Sequence, residues 1–168
     1  MRKAMLLPAV LGLVGSMFLM PSSAVAQTKF SGTLECGKAD PTYTIQIPDR
    51  EGYSFVIGQN KCPWTKPFAI AGLESKNNVQ TESDEVTGNT IKAIAYGFTQ
   101  FSNGDKAFHR GVSTADQKAQ TSSGKWTFTA GTGKLRGIKG SGTSTCKIRG
   151  GVYTCEIEGE YTLPAAKK

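Results

Sequence analysis

The sequence predicts an all-β domain, a single antiparallel β-barrel of about eight strands, with a β-sandwich as the alternative. Three observations carry that expectation. Apolar and polar residues alternate with a period of two through most of the chain, the pattern of half-buried strands. The chain holds 20 glycines, mostly between the alternating runs, as frequent tight turns require. Two turn dipeptides, Asn103-Gly104 and Gly150-Gly151, sit between such runs. A barrel is preferred because closure removes exposed strand edges.

The chain opens with Met1-Arg2-Lys3, a short positive segment, and is then uncharged from Ala4 to Met20. Pro21-Ser22-Ser23 and Ala24-Val25-Ala26 follow, placing small residues where a signal peptidase needs them. This order predicts a signal peptide over residues 1–26, cut before Gln27, and a periplasmic or secreted product. A membrane anchor wants about 20 apolar residues, whereas Pro8 and Pro21 interrupt this stretch and no later run approaches that length. A mature protein without a membrane span is expected, with one domain over 27–163 and a disordered tail over 164–168.

Within that domain the strands read in order. Phe30, Gly32, Leu34 and Cys36 share one phase; Tyr43, Ile45 and Ile47 share the next. After the turn at Pro48–Gly52, Tyr53, Phe55 and Ile57 repeat the pattern. Ile91–Phe101 and Lys106–Val112 flank Asn103-Gly104, the preferred pair for a type I′ hairpin, a register that would set His109 near Phe98. Trp126 and Phe128 alternate with Lys125, Thr127 and Thr129. Gly150-Gly151 joins Thr143–Arg149 to Val152–Leu163. Asp116–Gln120 has room for one short turn. With these phases pointed inward, Tyr43, Tyr53, Phe55, Trp126 and Phe128 are the candidate cavity lining, and no carboxylate is expected inside.

The segment Trp126-Thr127-Phe128-Thr129-Ala130-Gly131-Thr132-Gly133-Lys134-Leu135-Arg136-Gly137-Ile138-Lys139-Gly140-Ser141-Gly142 resembles the strand–glycine turn–strand signature of the allene oxide cyclase and dirigent-like barrels. It is closer still to small exported bacterial proteins that share that barrel. Gly131 and Gly133 suit a tight turn, and Gly137, Gly140 and Gly142 let the next strand coil strongly. The resemblance implies an eight-stranded barrel. In allene oxide cyclases a buried carboxylate and a positioned water act on a fatty-acid epoxide. Dirigent proteins place acidic and basic pocket residues around a phenolic intermediate. No catalytic position of either family aligns to a residue of this chain, so none is carried over.

Four cysteines in an exported domain predict two disulfides. A two-residue turn at Gly150-Gly151 sets Arg149 opposite Val152 and Cys146 opposite Cys155, a non-hydrogen-bonded pair whose Cα atoms approach to about 4.5 Å. Cys36 and Cys62 are left to each other. A zinc site is disfavoured, since there is no C-x-x-C pair and His109 is the single histidine.

The formal charge is +7; loss of Arg2 and Lys3 leaves 18 basic against 13 acidic residues. Lys134, Arg136, Lys139, Lys147 and Arg149 lie in a stretch without carboxylates, the candidate anion-binding set, although such a run is ordinarily a solvated face. Glu156, Glu158 and Glu160 share one strand face, with Lys147 and Arg149 the expected partners. The chain has no G-x-S-x-G elbow, no H-E-x-x-H pair, no phosphate loop and no nucleic-acid motif. No cofactor or metal is implied. The expectation is an exported, non-catalytic barrel that binds a partner or small apolar ligand. The alternatives are a barrel isomerase or cyclase on an apolar substrate and a polyanion-binding surface module.

Overall fold

The structure, a computed structural model, describes residues 27–165. The expected signal peptide, 1–26, and the last three residues of the expected tail lie outside the described residues. Ten strands follow in chain order: β1 Thr28–Cys36, β2 Thr42–Gln46, β3 Tyr53–Lys66, β4 Ala69–Ile70, β5 Leu73–Thr87, β6 Thr90–Phe101, β7 Lys106–Asp116, β8 Thr121–Gly131, β9 Lys139–Arg149 and β10 Val152–Thr162. Between β8 and β9 runs a single 3-10 turn, Gly133–Leu135.

Eight of these strands close a ring in the order β3-β1-β10-β9-β8-β7-β6-β5, with β5 pairing back onto β3 and every pair antiparallel. The architecture is the expected all-β barrel. β2 extends β3 outside the ring, and β4 pairs with the start of β5.

The two hairpin turns differ. Gly150 and Gly151 both have positive φ, 57° and 81°, the two-residue geometry, and Cys146 stands opposite Cys155. At the other hairpin the Phe101 N–H donates to the Asp105 carbonyl at 2.8 Å, and Gly104 has φ 88°. Three residues, Ser102 to Gly104, therefore make the turn, where the sequence predicted two. The extra residue moves the register by one position: His109 pairs with Gly97, and Phe98 with Phe108. A one-residue slip exchanges the faces of a strand, so His109 points into the barrel.

One end of the barrel is plugged. Phe68, Ile70 and Leu73 pack there with Phe101, Ala107, Leu135 and Ile138. Phe30 stacks on Phe68 at 4.4 Å, and Trp64 meets Phe68 edge-on at 4.7 Å. Ile70 and Leu135 are wholly buried, worth about 1.5–3 kcal/mol each. Leu135 is delivered by the 3-10 turn, which bends there because Gly131 packs directly on the Leu135 carbonyl and leaves no room for a side chain. A second cluster joins Leu34 and all four cysteines. Both expected disulfides form, Cys36–Cys62 and Cys146–Cys155, with Cα separations of 4.4 Å and 4.0 Å.

Candidate functional site

Between the plug and the barrel's other end, which carries the turns before β3, β6, β8 and β10, lies a cavity of about 150 Å³. Phe30, Trp64, Trp126 and Phe128 form its aromatic side. Trp126 and Phe128 meet at 4.9 Å, and the Trp126 Nε1–H donates to the Thr143 carbonyl at 3.3 Å. The indole can lie flat to the wall because Gly142 and Gly159 sit beneath it, where any Cβ would strike the ring.

The opposing polar side comes from β5, a strand the sequence did not predict. Pairing with β3 on one edge and β6 on the other holds it in the ring. Alternation then turns Asn78, Gln80, Glu82 and Asp84 inward and leaves Thr81 and Ser83 in solvent. Their side chains form a ladder. Thr99 Oγ1 donates to Asn78 Oδ1 at 3.3 Å, Asn78 Nδ2 to Gln80 Oε1 at 3.2 Å, and Gln80 Nε2 to Glu82 Oε1 at 2.6 Å.

Burial pushes the Glu82 carboxyl up to about 7; repulsion from Asp84 adds to this, and the Gln80 hydrogen bond opposes it. Burial alone pushes Asp84 up to about 6. Tyr153, on β10, is raised by burial and then by the charges of Glu82 and Asp84, which places all three groups in one neighbourhood. Burial holds His109 down to about 4, so its imidazole is neutral at physiological pH. Among the described residues three buried side-chain polar atoms have no hydrogen-bond partner: Asn60 Oδ1, Trp64 Nε1 and Asp84 Oδ1. Among the described residues no group of His, Cys, Asp and Glu is arranged to hold a metal.

Glu82 and Asp84 correct the expectation of a carboxylate-free interior. The candidate lining is corrected in part as well. Trp126 and Phe128 line the cavity, whereas Tyr43 and Phe55 are on the outer face, 65% and 39% exposed. Tyr53 shares that outer phase; its hydroxyl donates to Glu85 Oε1 at 3.1 Å and its ring lies under the Arg50 guanidinium. The inner phase of β3 is Ser54, Val56, Gly58 and Asn60. The interior volume is already taken by Trp126, Phe30 and the two disulfides, so this strand turns small side chains inward and its aromatics outward.

The basic set does not converge. Lys134, Arg136 and Lys139 sit at the plugged end, and Lys147 and Arg149 at the far end of β9, about 30 Å away along an extended strand. Glu156, Glu158 and Glu160 stand opposite Thr145, Thr143 and Ser141, not opposite Lys147 and Arg149. A signal for β5 does exist in the sequence: Gly72 and Gly88, both at positive φ, bracket the strand as turn residues, and Glu82 and Asp84 share a phase.

No family model matches the chain, and no curated protein matches it. Among solved structures, a pterocarpan synthase dirigent protein aligns with TM-score 0.51 and 11% identity over 96% of this chain and 98% of that one. The likeness is one of fold: a dirigent-type barrel. A second pterocarpan synthase dirigent protein aligns with TM-score 0.49 and 11% identity, over 82% of this chain and 95% of that one. No helix among the described residues is long and apolar enough to cross a membrane.

Proposed function

We propose that this chain is an exported binding barrel that holds one small, mainly apolar molecule and orients it against the Glu82 ladder. A single observation carries the proposal: the cavity wall combines the aromatic rings of Phe30, Trp64, Trp126 and Phe128 with the polar side chains Asn78, Gln80 and Glu82 and the unpartnered Asn60 Oδ1. Apolar walls with a few convergent polar groups are the usual form of a small-molecule site. Size limits the ligand. A dry cavity of about 150 Å³ accommodates benzene, so the ligand is a single ring or short chain, and a long-chain fatty-acid epoxide does not fit. Titration of single-ring compounds, followed by tryptophan fluorescence from Trp64 and Trp126, is expected to show saturable binding. An unchanged signal with every such compound would remove the proposal.

A second reading, a proton-transferring isomerase or cyclase, is favoured by Glu82, whose proton affinity near neutrality suits a general acid or base. Turnover that disappears in Glu82→Gln would establish it over simple binding. Export is part of the proposal and is supported by the signal-like N-terminus and two disulfides. N-terminal sequencing of the mature protein should begin at Gln27; soluble protein retaining Met1 would defeat export.

A further inference from the structure

We propose that the molecule held in this cavity is an organic cation: a protonated amine or amidine carried on one ring or a short apolar stem. The inference rests on the cavity being a ligand site and specifies what that site recognises. Two carboxyls, Glu82 and Asp84, stand two residues apart on the inner face of β5, and no basic side chain neutralises them. The ion pairs among the described residues are Arg50–Asp49 and Lys76–Glu74, both at the surface. Every described lysine and arginine is solvent-exposed except Lys106, which lies over the outer face of the Phe98 ring. Lys125 touches the cavity wall but is exposed.

The two unpartnered acceptors point the same way; the third unpartnered atom among the described residues, Trp64 Nε1, is a donor on the aromatic part of the wall. Asp84 Oδ1 and Asn60 Oδ1 are acceptors without donors, and Asn60 is 7% exposed on the cavity wall. Buried acceptors of this kind are costly unless a donor reaches them. A ligand ammonium beside Asn60 and Glu82 on the cavity wall supplies a donor and the missing positive charge, with Asp84 two residues further along the same inner face. Its apolar body would meet Phe30, Trp64, Trp126 and Phe128, whose ring faces attract cations. The remaining groups facing the carboxyls offer no competing charge: Gln80 is neutral, His109 is held neutral by burial, and Tyr153 is a neutral phenol at physiological pH.

Cation binding requires ionised carboxylates, so it should strengthen as pH rises through the range where Glu82 and Asp84 lose their protons. A neutral ligand that accepts a hydrogen bond from a protonated carboxyl would weaken over the same range. The experiment is calorimetric titration of the mature, disulfide-bonded protein with benzylamine, benzyl alcohol and toluene at pH 5 and pH 8. The expected result is benzylamine binding tenfold or more tighter at pH 8 than at pH 5, and tighter than benzyl alcohol at pH 8. In Glu82→Gln and Asp84→Asn, each close to isosteric, that pH dependence should shrink while toluene binding persists. Benzyl alcohol binding as well as benzylamine at pH 8, or benzylamine weakening as pH rises, overturns the cation and leaves the cavity reading intact. If none of the three binds at either pH, the cavity reading falls as well.

Discussion

β8 and β5 line the same cavity and are equal members of the same ring, yet they are built oppositely. β8 turns Trp126 and Phe128 inward and Lys125 and Thr127 outward, so hydropathy alternates along with geometry. β5 turns Gln80, Glu82 and Asp84 inward and Thr81, Ser83 and Glu85 outward, so geometry alternates while hydropathy does not. On the apolar wall the Trp126 ring rests on Gly142 and Gly159. The polar wall is held by pairing on both edges and by its side-chain ladder. A strand is specified by its neighbours as much as by its own pattern, and functional groups sit where that pattern is sacrificed.

The sharpest way to break this comparison is to crowd the apolar wall. Gly142→Val would drive a side chain into Trp126 and the Glu158 carbonyl, and is expected to cost about 3 kcal/mol or more, read as a fall in denaturant midpoint or in folded yield. Gly142→Val retaining wild-type stability would show that the indole is not seated as described.

Removing the bridges comes next. The Cys36–Cys62 pair spans 26 residues and Cys146–Cys155 spans 9, so loop-closure entropy puts their losses at about 3.5 and about 2.6 kcal/mol. Paired alanine variants under non-reducing conditions should fall in that order. Equal losses would mean that the loop model does not describe this barrel.

A third test compares the titratable groups of the polar side. Glu82 has its proton affinity raised in the folded state, so its contribution to stability is present below the unfolded value near 4.5 and is lost as pH rises to about 7. Asp84 acts in the same sense between 3.8 and about 6. His109 acts oppositely, destabilising the fold as pH falls from 6.5 to about 4. The histidine thus offsets part of the carboxyl effect over much of the same window. Glu82→Gln should raise stability at pH 8 relative to pH 4.5 by on the order of 2–3 kcal/mol, and replacing His109 with Gln should steepen the wild-type fall with rising pH. Urea titrations at stepped pH read both. A flat response in both variants would place these groups in water.

The smallest expected effect separates inner from outer aromatics. Tyr43→Ala removes a side chain that is 65% exposed and should change stability by about 0.5 kcal/mol or less. Phe128→Ala, inside, should cost several-fold more. Comparable losses would return Tyr43 to a buried role.

Much of the fold was legible because strands such as β1, β8 and β9 show contrast between their faces and because two glycines in sequence mark the β9–β10 turn. The disulfides followed from that register. The direction of each phase was less legible. Alternation in β3 separates Tyr53, Phe55 and Ile57 from Ser54, Val56 and Gly58 but does not state which set faces inward, and the aromatic set proved to be outside. The site itself was hidden in β5, whose two faces are equally polar. The inward turn of His109 was hidden in a single extra residue at Ser102–Gly104, which no composition signal distinguishes from the shorter turn.

Ring closure by β1 and β10 has a consequence for attachment. Thr28 pairs with Tyr161, so the first and last strands begin and finish side by side at the plugged end. A reporter, surface tether or fusion partner joined at either terminus would therefore emerge beside Phe68 and Leu135 and stand clear of the turns at the opposite rim. Loop grafts at Gly88 or Gly150-Gly151 would do the reverse and sit over that rim. The described chain thus enters and leaves the barrel at its plugged end, with the opposite rim left to turns alone.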